Sequence, residues 1–63
     1  MKTIQLYKDN KGNLWYCDEF DKENQQYKVT EVIEDSGNYT YTHNSWYMNK
    51  EEFEVCVKVV AKQ

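Results

Sequence analysis

NKEEFEVCVKVVA, residues 49–61, is compatible with both a helix and a strand, so the fold class depends on which of the two it forms. Asn49 is a good helix cap, and Glu52 stands where a capping box places its acidic residue. In a helix, apolar side chains recur with helical spacing at Phe53, Cys56, Val57, Val60 and Ala61. In a strand, alternation places four apolar side chains on one face, namely Phe53, Val55, Val57 and Val59. The periodicity therefore leaves both interpretations open.

Residue propensity favours the strand. Four of the six residues from 55 to 60 are valine, which is poor helix material and good sheet material. One helical turn near residues 49–53, followed by a final strand, satisfies both the capping signal and the valine content. The alternative is an α+β fold, in which a C-terminal helix over residues 50–61 packs on a four-stranded antiparallel sheet.

Turn residues divide the rest of the chain into alternating segments. Residues 9–12, Asp-Asn-Lys-Gly, suit a type I turn closed by a left-handed glycine, and residues 35–38, Asp-Ser-Gly-Asn, repeat that pattern. Residues 21–25 form a looser polar turn, in which Asn24 is expected to take a positive φ. A further bend is expected at residues 43–45. The sequence thus predicts an all-β fold, a small five-stranded antiparallel meander with the short helical turn near residues 49–53.

The alternation also predicts which side chains share a face and where the sheet bends. Ile4 shares a face with Leu6, and Leu14 shares one with Tyr16. From Val29 onward, strict alternation would bury Glu31, so a β-bulge is expected near Thr30 or Glu31. A helical turn before a last strand that completes a bent meander resembles the SH3-like barrel in layout. The resemblance implies an SH3-like bent sheet or barrel; the peptide-binding signature of SH3 domains is absent, so proline-rich ligands are not implied.

Size and charge narrow the classes of function. The 63 residues make one domain, residues 1–63, with eleven acidic residues, eight lysines, no arginine and a net charge of −3. A nonspecific nucleic-acid binder needs a basic face, and phosphate contacts favour arginine, so nucleic acid is an unlikely partner. No apolar run approaches the roughly 20 residues that span a bilayer. The first six residues lack the apolar region of a secretion signal, so we expect a cytoplasmic protein and no membrane partner.

Catalytic and metal-binding chemistry have few residues to use. A metal site would draw on Cys17, His43 and Cys56, which lack the paired two-to-four-residue spacing of structural zinc sites. The two cysteines are expected to be half-buried thiols in strands, and His43 a polar residue at a bend. His43 is the sole imidazole, and nothing supports Ser45 beside it as a nucleophile. We therefore predict no enzyme activity, no metal and no cofactor.

Aromatic residues are the strongest indication of function. Six tyrosines and two tryptophans are more than so small a core holds, and such side chains concentrate in binding surfaces. Because neighbours in a strand face opposite ways, Trp46 and Tyr47 are expected to send one ring inward and one to solvent. The predicted binding residues are Trp15, Tyr39, Tyr41, Trp46 and Tyr47. A second predicted surface is an acidic face made of Asp18, Glu19, Asp21, Glu34 and Asp35.

The leading hypothesis is a noncatalytic protein-binding module that uses this aromatic and acidic surface. Short chains of this composition resemble the accessory proteins of phages and mobile elements in low-GC bacteria. That resemblance implies a protein that inhibits or modulates a host protein. The alternatives are a single-stranded nucleic-acid binder that stacks bases on Tyr and Trp, and a small acidic mimic of DNA. Pairing of exposed sheet edges also makes a homodimer a candidate.

Overall fold

A computed structural model describes residues 2–62 and contains five strands and one short helix. The elements are β1 (Thr3–Lys8), β2 (Leu14–Asp21), β3 (Gln26–Asp35), β4 (Asn38–Asn49), α1 (Lys50–Glu54) and β5 (Val57–Lys62). All paired strands are antiparallel, in the order β4-β3-β2-β1-β5. This confirms the predicted all-β meander. The sheet is not closed into a barrel, because β4 and β5 remain its two edges.

The ambiguous C-terminal stretch forms both a helical turn and a strand. Asn49 caps α1, its side-chain oxygen accepting a hydrogen bond from the Glu52 backbone N–H at 3.0 Å. The helix ends at Glu54, and β5 then pairs with β1 through six residue pairs. The alternative helix over residues 50–61 is therefore wrong. Valine-rich chain gains a full ladder of backbone hydrogen bonds along β1, which a longer helix would forgo.

The turns follow the predicted positions with two differences in backbone geometry. Gly12 takes a left-handed φ of 89°, and its N–H donates to the Asp9 carbonyl, as predicted. In the β3–β4 turn both central residues have positive φ, 51° at Ser36 and 84° at Gly37. This is the mirror-image turn that suits a two-residue hairpin connection, instead of a type I turn.

The β2–β3 turn places its left-handed residue one position later than predicted. Gln25 has a φ of 53°, whereas Asn24 does not have a positive φ. The Asn24 side-chain amide instead donates to Asp21 Oδ2 at 2.9 Å, which holds Asn24 inside an Asx-type turn. The Gln25 carbonyl then accepts a hydrogen bond from the Lys50 N–H, which ties this turn to the start of α1.

Two irregularities interrupt the ladders. In β2, Asp18 is an extra residue between the pairs Cys17–Val29 and Glu19–Lys28. Between β3 and β4 the register shifts from Thr30–Ser45 to Val32–Tyr41, which confirms the irregularity predicted near Thr30 or Glu31. Residues 42–44 of β4 stand against the single residue Glu31 of β3, so the extra residues are on β4. The bend predicted at residues 43–45 is wrong, because β4 continues through these residues as one twelve-residue strand.

Two apolar clusters lie on opposite faces of the sheet. On the face that α1 covers, which we call the helix face, Trp15, Val29, Met48 and Phe53 pack together. On the opposite face, Leu6, Val32 and Ala61 form the second cluster, with Ile4, Leu14 and Tyr16 packed against it. The predicted pairs of face-sharing residues, Ile4 with Leu6 and Leu14 with Tyr16, are confirmed.

Alternation along β3 explains how one strand supplies both clusters. Val29 and Val32 are three positions apart in β3, so they point to opposite faces of the sheet. They are 0% and 4% exposed, respectively.

The structure of residues 2–62 contains no helix with the length and hydrophobicity needed to span a bilayer.

Candidate functional site: an exposed tyrosine face

The five predicted aromatic residues have different environments. Trp15 is only 3% exposed and belongs to the core of the helix face, where its indole N–H donates to Asp9 Oδ2 at 3.1 Å. Tyr39 is half-buried against the cluster on the opposite face. Three rings remain exposed, with fractions of 45%, 47% and 53% for Tyr41, Trp46 and Tyr47. Of the predicted binding residues, these three are the ones whose rings are available to a partner.

Trp46 and Tyr47 lie on opposite faces, but neither is buried. Trp46 stands across from Val29 on the helix face, and its ring centroid is 5.0 Å from that of Trp15. Tyr47 stands across from Lys28 on the opposite face. The expectation of one inward ring is wrong because Trp46 lies on the edge strand β4 and packs on one flank only, against Trp15, whereas Met48 of the same strand is buried beside Phe53 of α1.

The opposite face carries a pocket between two tyrosines. Tyr16 and Tyr41 meet edge to face, with ring centroids 5.3 Å apart and planes inclined at 73°. With Asp18 and Thr30 they line a depression of about 290 Å³. We call these four residues the tyrosine–aspartate pocket.

The irregularity in β2 places the carboxylate in this pocket. As the extra residue, Asp18 departs from the alternation that carries Cys17 to the helix face. Its Oδ2 accepts a hydrogen bond of 2.7 Å from the Thr30 hydroxyl, which fixes it on the same face as Tyr16. Thr30 is also 2.9 Å from the Ser45 hydroxyl, so β2, β3 and β4 are joined by one chain of polar contacts.

The pocket continues into a wider exposed surface. Ser45 and Tyr47 are two positions apart in β4 and point to the same face. On that face, Glu19 of β2 stands across from Lys28 of β3. We call this surface the tyrosine face; it consists of the tyrosine–aspartate pocket together with Glu19, Lys28, Ser45 and Tyr47.

The predicted acidic residues do not form one continuous face. Asp18 and Glu19 belong to the tyrosine face. Asp21 accepts hydrogen bonds from the Glu23 and Asn24 backbone N–H groups in the β2–β3 turn. Glu34 and Asp35 lie at the other end of β3, next to the β3–β4 turn. A strand of this length separates the two ends by about 30 Å.

Sequence reasoning missed Tyr16 and Thr30 as site residues. The sequence predicts only that Tyr16 shares a face with Leu14; the ring packs against the apolar cluster and also lines the pocket. Alternation identifies the face of a residue but not its distance from the centre of the sheet. The sequence does contain one indication of this site: Tyr16 and Thr30 both carry a hydroxyl group, and the register of β2 and β3 places them across from each other.

The cysteines and His43 form no comparable site. Cys17 and Cys56 are half-buried and free, and Cys56 lies in the bend after α1 instead of in a strand. Burial raises the pKa of both thiols, and nearby carboxylates add to it, Asp18 at Cys17 and Asp9 and Glu52 at Cys56. Protonated thiols are weak nucleophiles.

His43 is exposed on β4, within the segment 42–44. The hydroxyl of Ser45, the serine considered as a nucleophile, contacts the Thr30 hydroxyl. Within residues 2–62, no three His, Cys, Asp or Glu side chains are grouped in a way that holds a metal ion.

Comparisons of the chain with protein-family models, with curated proteins and with solved structures find no match. The geometry of the tyrosine face is therefore the basis for any functional assignment.

Proposed function

We propose that this chain is a small noncatalytic protein-binding module whose tyrosine face docks on a basic surface of another protein. The observation that carries the proposal is the exposure of Tyr41 and Tyr47, 45% and 53%, beside the carboxylates of Asp18 and Glu19 on one sheet face. Exposed tyrosines combine a large apolar area with a polar tip, which is why they are enriched at interfaces.

The dimensions of the chain suit this role. A standard interface buries about 800 Å² on each partner, roughly one sixth of the 4801 Å² that this chain exposes. One face of the sheet is enough to supply that area. We propose further that the protein works in the cytoplasm and acts by occupying, and so inhibiting or modulating, a host protein.

Charge favours a protein partner over single-stranded nucleic acid. Stacking of bases on exposed tyrosines would need cations nearby for the phosphates. Lys28 is the one lysine among the described residues of the tyrosine face, and it stands across from Glu19. Asp18 adds a second negative charge, so the face repels a phosphate backbone and attracts basic side chains.

Two neighbouring substitutions test the proposal. Tyr47→Ala should keep the melting temperature of the parent and abolish capture of the partner, since a central aromatic contributes about 2 kcal/mol or more to binding. Trp46→Ala should instead lower stability by about 1 kcal/mol, because its ring packs on Trp15. The measurements are thermal melts, and affinity capture from the native cell followed by mass spectrometry.

Ile33→Thr is the matched control, because Ile33 is also 53% exposed and lies in β3 next to Val32, pointing to the other face. Proteins captured by the parent and by Ile33→Thr but not by Tyr47→Ala are the predicted partners. Equal capture by all three proteins would contradict the proposal. Binding of a labelled oligonucleotide that weakens with salt would favour the nucleic-acid alternative.

A further inference from the structure

We infer that the tyrosine–aspartate pocket receives the ammonium group of a lysine side chain presented by the partner protein. The inference rests on the proposed function and specifies the chemistry of the contact. The pocket is lined by one carboxylate, two tyrosine rings and one hydroxyl, and its volume is about 290 Å³. That volume is at the lower end of ligand pockets and suits one side chain better than a whole small molecule.

The rings provide the first attraction. The faces of aromatic rings are negative, and a cation within about 6 Å of a ring centroid is attracted to them. Tyr16 and Tyr41 are inclined at 73° with centroids 5.3 Å apart, so they form two walls of a corner. A cation seated in that corner contacts both rings at once.

The carboxylate provides the second attraction. The Thr30 hydroxyl occupies Asp18 Oδ2 and holds the side chain against the pocket, and no donor within residues 2–62 contacts Oδ1. The nearby charges of Glu19 and Lys28 offset each other across the strands. Together with Asp18 they give the tyrosine face one net negative charge, which is complementary to one cation.

The shape of the pocket favours lysine over arginine. A guanidinium group is planar, stacks flat on a ring and binds a carboxylate through both oxygens. Here the two rings are nearly perpendicular, and one carboxylate oxygen already has a donor. A compact ammonium group fits a corner and needs one free oxygen.

The experiment is an NMR titration of isotope-labelled protein with Nα-acetyl-lysine N-methylamide at about 0.15 M salt. The norleucine analogue tests the charge and the arginine analogue tests the shape. We expect the lysine probe to shift the resonances of Tyr16, Thr30 and Tyr41, and to bind about fivefold or more tightly than the norleucine probe, in line with a partly desolvated cation–π contact.

Variants separate a specific carboxylate from general acidity. Asp18→Asn keeps an oxygen that accepts from Thr30 and should lose most of the preference for lysine. Asp35→Asn removes the same charge at the β3–β4 turn and should retain that preference. Tyr41→Phe should bind the probe as the parent does, whereas Tyr41→Leu, which removes the ring, should not; this pair leaves Asp18 untouched.

Three results would overturn the inference: equal binding of the lysine and norleucine probes, equal losses in Asp18→Asn and Asp35→Asn, or tighter binding of the arginine probe. Failure of the inference is distinguishable from failure of the proposed function. If Tyr47→Ala loses the captured partner while Asp18→Asn keeps it, the protein-binding function stands and the lysine contact is excluded.

Discussion

At the scale of single residues, Phe53 links the short helix to the sheet. Its ring stacks on that of Tyr27 in β3, with centroids 4.1 Å apart, and contacts that of Tyr7 in β1, with centroids 4.5 Å apart. We expect Phe53→Ala to lower the free energy of unfolding by about 3–5 kcal/mol, a large share of the stability of a small domain. Chemical denaturation measures this change.

Phe20→Ala is the control for this prediction. Phe20 also contacts Tyr27, at 4.6 Å between ring centroids, but it is 37% exposed. Its truncation should cost clearly less than that of Phe53. Similar losses for the two variants would show that α1 is not held to the sheet by Phe53.

Two aspartates make the fold sensitive to acid. Desolvation tends to raise the pKa of Asp9, but hydrogen bonds from Asn13, Trp15 and Lys11 outweigh it and hold the pKa below its usual value. Hydrogen bonds from the Asn24 side chain and from the turn backbone likewise lower the pKa of Asp21. A carboxylate with a lowered folded-state pKa stabilises the fold above its unfolded pKa, and this contribution is lost as pH falls through the folded value.

We therefore expect stability to change little from these two groups between pH 7 and 5 and to fall below about pH 4. Asp9→Asn should cost about 1 kcal/mol at neutral pH, because the indole of Trp15 or one turn N–H loses its charged acceptor. The same variant should show a shallower loss of stability below pH 4. Parallel acid profiles for the variant and the parent, measured by urea unfolding, would contradict this role of Asp9.

At the scale of elements, the β3–β4 turn has a sequence that is not optimal for its geometry. Both central residues have positive φ, yet the first of them is Ser36. Asparagine tolerates this conformation better, so Ser36→Asn should stabilise the protein by about 0.5 kcal/mol. Gly37→Ala should destabilise it by about 1 kcal/mol through the backbone alone, because a Cβ at this position meets nothing within 4 Å. Thermal melts of both variants test this turn geometry. A loss of stability in Ser36→Asn would contradict the positive φ at residue 36.

The turns, the helix cap and the strands show which features of the fold can be predicted from the sequence. Turns and caps depend on chemistry within a few residues, so Gly12 and the Asn49 cap were predictable. The left-handed residue at Gln25 was not, because the Asn24 amide is occupied by Asp21. The course of β4 through His43 was unpredictable for a different reason: polar residues that look like a turn instead continue the strand, at the point where its register against β3 shifts.

The candidate site shows the same division. Exposed rings at Tyr41 and Tyr47 follow from alternation and from an excess of aromatics. The burial of Trp15 and the contribution of Tyr16 depend on how far each residue lies from the sheet edges. The entry of Asp18 into the pocket depends on the register between β2 and β3. These are relations between distant segments, which one-dimensional patterns do not encode.

At the scale of the whole molecule, β4 and β5 leave two open edges. The edge strand β5 exposes Val57 and Val60, each 66%, and also carries Lys58 and Lys62. Lysines on an edge discourage pairing with another chain. We expect the double variant Lys58→Thr and Lys62→Thr to associate at concentrations where the parent does not, as measured by sedimentation.

Charge alone must be excluded as the cause of that association. The double variant Lys22→Thr and Lys50→Thr changes the net charge equally but lies in the β2–β3 turn and at the start of α1. It should keep the sedimentation behaviour of the parent. If both double variants behave alike, the lysines of β5 do not protect the edge.

The pairing of β1 with β5 has a consequence for the order of folding. Thr3 stands opposite Lys62, and the cluster of Leu6, Val32 and Ala61 draws on the beginning, middle and end of the described chain. Closing a loop of some fifty residues costs entropy before any of these contacts form, which slows folding in sheets of this kind. A growing chain on the ribosome cannot complete this cluster until β5 has been synthesised, so the sheet is expected to form only once Val57–Lys62 has left the ribosome.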